Sequence, residues 1–156
     1  MRESRFARIG NVRDRGRIVD ASLLSATPEV MKETIAIRYI VNDVPASIAF
    51  YTTQLGFRLE QDASPAFASV SRGGVKLLLS GDGSSGKRPL SDGSRPEPGG
   101  WNRIHLQVAD LVAEVARLRG AGVTFRMSDI VHGPGGSQIL LDDPSGNPIE
   151  LFQPRS

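Results

Sequence analysis

The sequence predicts an α+β fold built from two similar halves, each with the element order βαβββ. Three observations support this. An eight-residue pattern at residues 37–44 recurs at residues 104–111, a constant offset of 67. Each copy is followed by apolar residues at helical spacing, and then by short segments bounded by glycine or proline turns. A half of about fifty residues cannot bury an adequate core alone, so the two halves are expected to pair.

Each copy of the repeated pattern predicts a strand that runs into a helix. Asp43 and Asp110 stand at the expected N-caps, where their carboxylates can accept the free N–H groups of the first turn. Apolar residues then recur at i, i+4 and i+7 in both copies, as one face of a helix requires. Segments with glycine at residues 55–57 and 120–123 are predicted to end the helices.

Three more strands are predicted in each half. In the first half they cover residues 57–61, 67–72 and 75–80, and in the second half residues 124–127, 138–141 and 148–153. The Gly/Pro-rich residues 82–100 cannot continue a strand and are predicted to link the halves. The first module is thus expected at residues 34–81 and the second at 101–154, within a domain of residues 31–156.

Residues 1–30 are expected to be an extension, either flexible or an arm that packs on a partner subunit. They contain six arginines and four acids, a surplus of two that equals the net charge of +2 for the whole chain. The remaining residues are therefore neutral overall. A neutral domain lacks the basic surface that a phosphate backbone requires, so no nucleic-acid partner is expected.

The composition also indicates the cellular compartment in which the protein is expected. No apolar run approaches the roughly 20 residues that a membrane span needs, and the first thirty residues lack the apolar stretch of a secretory signal. The absence of cysteine removes disulfides and thiolate chemistry, and is compatible with a reducing cytoplasm. A cytoplasmic protein without a membrane partner is therefore expected.

Two motifs carry a resemblance to a known family. The first is Asn42-Asp43 followed by IAFYTTQLGF at residues 48–57, and the second is GPGGSQILLDDPSGNPIELF at residues 133–152. In this order and separation, over residues 34–154, they resemble the vicinal oxygen chelate superfamily, also called the glyoxalase/bleomycin-resistance/dioxygenase superfamily. The resemblance implies that the two modules form a curved, cup-like mixed sheet around a small ligand, with helices outside. It also implies a homodimer.

The resemblance further implies four positions where metal-using members keep ligands. One lies seven residues before each N-cap aspartate, which gives Ala36 and Arg103. The other lies in the last strand of each module, and matching Gly73-Gly74 to Gly146-Asn147 gives Leu77 and Glu150. Only Glu150 offers a donor, whereas a divalent ion needs about three. No metal and no other cofactor is therefore expected.

Strand alternation predicts which side chains line the cup. Ile104, Leu106 and Val108 share a face that should meet the helix, which directs the polar residues between them to the cup. The residues predicted to bind the ligand are Arg38, Leu77, Leu79, Arg103, His105, Gln107, Glu150 and Phe152.

The charged members of this set have two interpretations. Arg103 and Glu150 can form an ion pair in place of a metal, since a buried charge needs a partner. Alternatively, Arg103 or Arg38 can grip an anionic or carbonyl-bearing ligand with its planar guanidinium. His105 and Glu150 are the candidate catalytic residues, as an acid–base pair, if they lie within hydrogen-bond reach.

Three classes of function remain open at this point. The favoured one is a metal-independent protein that binds a small molecule, sequestering a drug or metabolite or catalysing a reaction without metal. The second is a metal-dependent lyase, isomerase or dioxygenase whose displaced site uses His105 and Glu150. The third is a non-catalytic dimeric module. The sequence does not decide whether the protein is an enzyme.

Overall fold

The computed structural model describes residues 13–14, 17–18 and 35–155. The chain divides into two compact units, residues 1–34 and 35–156. In the first unit, β1 (Arg13–Asp14) pairs antiparallel with β2 (Arg17–Ile18). The rest of the expected N-terminal extension lies outside the described residues. No helix in the described ranges is long and apolar enough to cross a membrane.

The first half of the second unit follows the predicted order. It contains β3 (Ala36–Ile40), α1 (Val44–Ala49), a π-helical segment (Phe50–Gln54), β4 (Arg58–Ala63), β5 (Phe67–Arg72) and β6 (Val75–Ser80). The last two strands have the predicted bounds, whereas β4 is shifted by one to two residues and contains an irregularity between Leu59 and Gln61. The linker that follows includes a single 3₁₀ turn, Ser85–Lys87.

The second half differs from the prediction in one strand. It contains β7 (Ile104–Gln107), α2 (Leu111–Gly120), β8 (Val131–His132), β9 (Gly136–Asp142) and β10 (Pro148–Pro154). The strand predicted at residues 124–127 was wrong, because Phe125 forms only an isolated bridge with Leu141. Arg126 and Met127 both donate their backbone N–H groups to the Leu140 carbonyl oxygen, which a regular ladder does not allow.

The two halves form sheets with the same topology. The strand orders are β3-β6-β5-β4 and β7-β10-β9-β8. In each sheet the first strand pairs parallel with the last, and the other neighbours pair antiparallel. This repetition confirms the predicted α+β fold of two paired βαβββ modules.

Both helices begin at the predicted aspartates. Asp43 accepts a hydrogen bond from the Ala46 N–H group at 2.8 Å, and Asp110 accepts one from Ala113 at 2.9 Å. Each cap therefore satisfies a backbone donor that has no partner within its helix. Because each cap lies three residues after the end of the first strand of its half, it fixes where the chain turns from strand to helix.

A single hydrophobic core holds the halves together. Both helices and one face of each sheet contribute to it, including Tyr51, Leu77, Leu118 and Ile149. Polar contacts seal the junction: Tyr51 donates its hydroxyl to Asp143 at 3.0 Å, and the Asn147 side chain donates to the Ile40 carbonyl oxygen. Burial raises the pKa of Tyr51 well above its usual value, and the charge of Asp143 raises it further. The face of each sheet that does not join this core is available for a site.

Candidate functional site

The face of the second sheet turned away from the core carries most of the predicted site. Glu150 pairs with His105 on one side and with Leu140 on the other, and Phe152 pairs with Gln107. Paired residues on neighbouring strands share a face, while successive residues along a strand alternate. We call this surface the second open face; its side chains are Arg103, His105, Gln107, Leu140, Glu150 and Phe152.

An ion pair occupies the centre of the second open face. Arg103 Nε lies 2.7 Å from Glu150 Oε2, as the sequence predicted for two charges at related positions. The Glu150 side chain is only 11% exposed and the Arg103 side chain is 32% exposed. One edge of the Arg103 guanidinium thus balances the negative charge of the largely buried Glu150 carboxylate. Its Nη1 lies 3.4 Å from the Trp101 carbonyl oxygen, and Nη2 has no hydrogen-bond partner within residues 35–155.

His105 lies beside this pair but does not bond to it. Its Nε2 is 3.6 Å from Glu150 Oε1, which is too long for a hydrogen bond. The imidazole instead packs against Phe152, with ring centroids 4.8 Å apart and planes tilted by 42°. The His105 side chain remains 49% exposed. The arrangement is therefore a solvent-facing aromatic pair next to a partly buried ion pair.

Leu77 and Leu79 do not lie on an open face, which corrects the predicted lining. Both are fully buried in the core, and they pair with Ile37 and Tyr39. The prediction aligned Gly73-Gly74 with Gly146-Asn147. The turn before β10 is longer than the two-residue turn before β6, so that alignment shifted the last strand by one residue. A shift of one residue moves every side chain to the opposite face.

The register instead makes Leu78 the counterpart of Glu150. Arg38 and His105 are equivalent by the offset of 67, and they pair with Leu78 and Glu150 respectively. The four positions of the family's metal site are then Ala36, Leu78, Arg103 and Glu150. Their only donor is the Glu150 carboxylate, which already binds a guanidinium, so these residues do not fit a divalent ion. Within residues 35–155, no three His, Asp or Glu side chains cluster as metal ligands.

Arg38 lies on the corresponding face of the first sheet. We call this surface the first open face; it includes Ala36, Arg38, Lys76, Leu78 and Ser80. The Arg38 guanidinium donates to the Ser80 hydroxyl, and Ser80 is fully buried. Arg38 therefore lies exposed on the predicted face, with one guanidinium nitrogen bonded to Ser80.

Within one chain, both open faces are exposed sheet surfaces and not enclosed pockets. A cleft of 630 Å³ begins at Gln107, at one end of the second open face, and continues to Gln153 and Arg155. A cleft of 370 Å³ lies elsewhere, between the π-helical segment and the turn that contains Asp143. Arg103, His105 and Glu150 line neither cleft.

Two features of the site were missed by the sequence reasoning. Leu140 shares the second open face, and pairing β9 with β10 around Glu150 would have identified it. The approach of the linker residue Gly86 to Arg38 had no sequence signal, because it depends on the path of an irregular segment. Sequence patterns report strand periodicity well and loop paths poorly.

The fold and the residues of the open faces define a class of protein with two βαβββ modules that offer open sheet faces to a small ligand. A family model described as Glyoxalase/Bleomycin resistance protein/Dioxygenase superfamily matches residues 34–151. The chain belongs to this superfamily.

Solved structures show the same fold. An antibiotic binding protein, TnmS3, from Streptomyces sp. CB03234 is similar at 25% identity and a TM-score of 0.59, covering 81% of this chain and 98% of that one. A superfamily member from Sphaerobacter thermophilus DSM 20745 has 25% identity and a TM-score of 0.61, with coverages of 79% and 98%. FosX, a fosfomycin resistance protein from Listeria monocytogenes, has 15% identity and a TM-score of 0.60, with coverages of 80% and 95%. A comparison with curated proteins finds no match.

Proposed function

We propose that the protein binds an anionic or carbonyl-bearing small molecule on its second open face, without a metal. The observation that carries this proposal is the geometry of Arg103. One edge of its guanidinium is fixed by Glu150 at 2.7 Å, while Nη2 has no partner within residues 35–155. A guanidinium oriented in this way offers a pre-set donor to a carboxylate or carbonyl oxygen.

The surroundings of Arg103 suit the apolar body of such a ligand. The tilted rings of His105 and Phe152 form a wall beside the ion pair, and Leu140 lies under it. Ligand sites commonly combine apolar and aromatic walls with a few polar groups that fix orientation. The antibiotic-binding activity named for the Streptomyces relative supports binding, and sequestration in particular, as the function of this chain.

The donor chemistry of the site supports the proposed metal independence. A divalent ion at the family position would find the Glu150 carboxylate already neutralised by Arg103 and two of the other positions occupied by Ala36 and Leu78. A cation there would have to displace a guanidinium and then lack further ligands. The catalytic roles predicted for His105 and Glu150 stay a prediction, because their 3.6 Å separation requires a small movement before a proton can pass.

A second copy of the chain is the proposed cover of the site. Within one chain the second open face is an exposed sheet surface, whereas small-molecule sites normally enclose most of their ligand. Exposed apolar side chains border it, including Trp101 and Val131. A homodimer in the cytoplasm, in which the partner's sheet closes over this face, completes the proposal.

Calorimetry with a charged ligand and its uncharged analogue tests whether Arg103 binds the ligand. A thermal-shift screen of carboxylates, aromatic metabolites and antibiotics identifies binders, and benzoate with benzyl alcohol as its uncharged match gives the simplest comparison. We expect the wild-type protein to bind benzoate more tightly than benzyl alcohol. The double variant Arg103→Gln/Glu150→Gln removes the guanidinium without leaving a buried carboxylate unpaired, and should bind benzoate about 10- to 100-fold more weakly.

Arg95→Ala is the matched control, because Arg95 is an exposed arginine of the linker. It should bind benzoate as the wild type does. Undiminished binding by the double variant would remove Arg103 from the site. Elemental analysis of protein purified without chelator tests metal independence separately, and a stoichiometric divalent metal would refute it.

A further inference from the structure

Trp101 lies at one end of the second open face. Its carbonyl oxygen is 3.4 Å from Arg103 Nη1, so its backbone adjoins the guanidinium that is proposed to bind the ligand. Trp101 is 75% exposed, although an indole is among the largest apolar groups that a protein can bury. Most of its surface is therefore available to another molecule.

Arg126 determines where the Trp101 ring lies. The guanidinium carbon of Arg126 is 5.5 Å from the centroid of the ring, a distance at which a cation is attracted to an aromatic face. The guanidinium is itself fixed by the Asp142 carboxylate, which it contacts through Nε at 2.9 Å and Nη2 at 2.8 Å. It also donates to the carbonyl oxygens of Gly100 at 3.0 Å and Gly146 at 2.9 Å. The indole thus packs on a firmly held cation.

The strand register places this cation across the sheet from Arg103. Pro148 is paired with Asp142 on one side, and on its other side it lies beside Arg103, because the next residues of both strands are paired. Asp142 lies two residues after Leu140 and therefore shares the second open face. The strands on either side of β10 are about 10 Å apart. With its backbone beside Arg103 and its ring on the arginine bound to Asp142, the Trp101 side chain extends across the start of β10.

Aromatic groups therefore lie at both ends of the second open face. The Trp101 ring is at the Arg103 end, and the His105 and Phe152 rings, with centroids 4.8 Å apart, are at the other. One face of the indole packs on Arg126, and because the ring is mostly exposed, the opposite face can stack on a planar group.

We infer that Trp101 is a specificity-determining residue that stacks on an aromatic ring of the ligand while Arg103 binds the carboxylate attached to that ring. The ligand class is thereby narrowed to aromatic carboxylates. Stacked aromatic rings attract each other through their quadrupoles, which a saturated ring lacks. Arg126 is a positioning residue, which acts on the ligand only through the indole. The inference rests on the function proposed above, because it concerns the same site.

Calorimetry with benzoate and cyclohexanecarboxylate tests this inference. The two probes share a carboxylate and a ring of the same size, but only benzoate is aromatic. The wild type should bind benzoate about two- to tenfold more tightly. Trp101→Leu keeps an apolar side chain without the aromatic ring and should lose most of this preference. Val112→Ala, which changes an exposed apolar residue of α2, is the control and should keep it.

A preference that is unchanged in Trp101→Leu would overturn the inference and would leave the His105 and Phe152 rings as the aromatic contact. Equal affinity of the wild type for the two probes would also overturn it, while the proposed function would stand. If the wild type binds neither probe nor any other compound of the screen, the proposed function fails and the inference fails with it.

Fluorescence of the wild type provides a test that needs no variant, because Trp101 is the only tryptophan of the chain. Benzoate should change the emission saturably, with the Kd that calorimetry measures, since a stacked ring replaces water at the indole. Benzoate binding that leaves the emission unchanged would overturn the inference. An emission that changes with protein concentration, and not with benzoate, would assign Trp101 to a contact between subunits and would also overturn it.

The positioning role of Arg126 is tested by Arg126→Gln/Asp142→Asn, which replaces the ion pair with two neutral amides. The indole then loses the cation on which it packs. Both the fluorescence anisotropy of Trp101 and the preference for benzoate over cyclohexanecarboxylate should fall. Wild-type values of both quantities in this variant would show that Arg126 does not position the ring.

Discussion

The first and second open faces share one topology but differ in the side chains that they carry. On the second face, Arg103 and Glu150 form an ion pair beside two solvent-facing rings. On the first face, the equivalent of Glu150 is Leu78, and the equivalent of His105 is Arg38, an exposed arginine that donates to the Ser80 hydroxyl. The difference shows that a duplicated fold supplies a scaffold twice, whereas a site depends on the individual side chains and on the path of the irregular segment between the halves.

The largest expected effect tests the register on which this comparison depends. Leu77→Ala should lower the free energy of unfolding by about 2–5 kcal/mol, because the side chain is fully buried in the core. Leu78→Ala, on the first open face, should cost less than about 1.5 kcal/mol, since its side chain is only partly buried. Urea denaturation of both variants measures the difference. Equal losses would mean that the two leucines do not occupy opposite faces.

A smaller effect distinguishes the two arginines. Arg103→Gln leaves the Glu150 carboxylate without its guanidinium and should cost about 1–3 kcal/mol, and adding Glu150→Gln should restore most of that loss. Arg38→Gln should cost less than about 1 kcal/mol, because its partner, the Ser80 hydroxyl, is neutral and can still accept a hydrogen bond. Chemical denaturation of the three variants provides the measurement. If adding Glu150→Gln does not restore stability, the broken Arg103–Glu150 ion pair is not the cause of the loss in Arg103→Gln.

The smallest effect concerns Glu60 of β4, whose carboxylate accepts hydrogen bonds from Arg58 and Ser71. A hydrogen bond from Ser71, and then the neighbouring Arg58, lower the pKa of Glu60 below its usual value of 4.5. A lowered pKa in the folded state means that the associated stability is present above pH 4.5 and is lost as the pH falls through the folded value. Since Glu60 lies on the exposed strand β4, where solvent screens its charge, the change in stability should be undetectable even though the titration is shifted.

NMR titration of the Glu60 side-chain carboxyl carbon measures this shift. Ser71→Ala should raise the pKa towards 4.5, because it removes the largest cause of the lowering. Lys76→Ala, a control on the same sheet, should move it less, since Lys76 contributes least among the causes. A Glu60 pKa that does not respond to Ser71→Ala would contradict the described hydrogen bond.

Much of this architecture was predictable because it is encoded locally. The two N-cap aspartates, the helical spacing and the alternation of residues 103–108 each depend on neighbours in sequence, and the structure confirms the helices and the polar face they predicted. The adjacency of Arg103 and Glu150 was also predictable, because internal symmetry related their positions.

The failures arose where spacing between elements decides the outcome. The face of Leu77 depended on the length of a turn, and the strand expected at residues 124–127 gave way to a single bridge. The approach of Gly86 to the Arg38 side chain depended on the path of a Gly/Pro-rich segment, for which periodicity carries no information.

The Asp143 carboxylate has a consequence for how the halves can be exchanged. It accepts the Tyr51 hydroxyl from the first half, and its neighbour Asn147 donates to the Ile40 carbonyl oxygen. A chimera made of two copies of residues 35–81 would lack both groups, and would leave a phenol and a carbonyl inside the protein without partners. Although the halves repeat one topology, each has become specific for its neighbour, and the chain cannot be reassembled as a tandem of identical units.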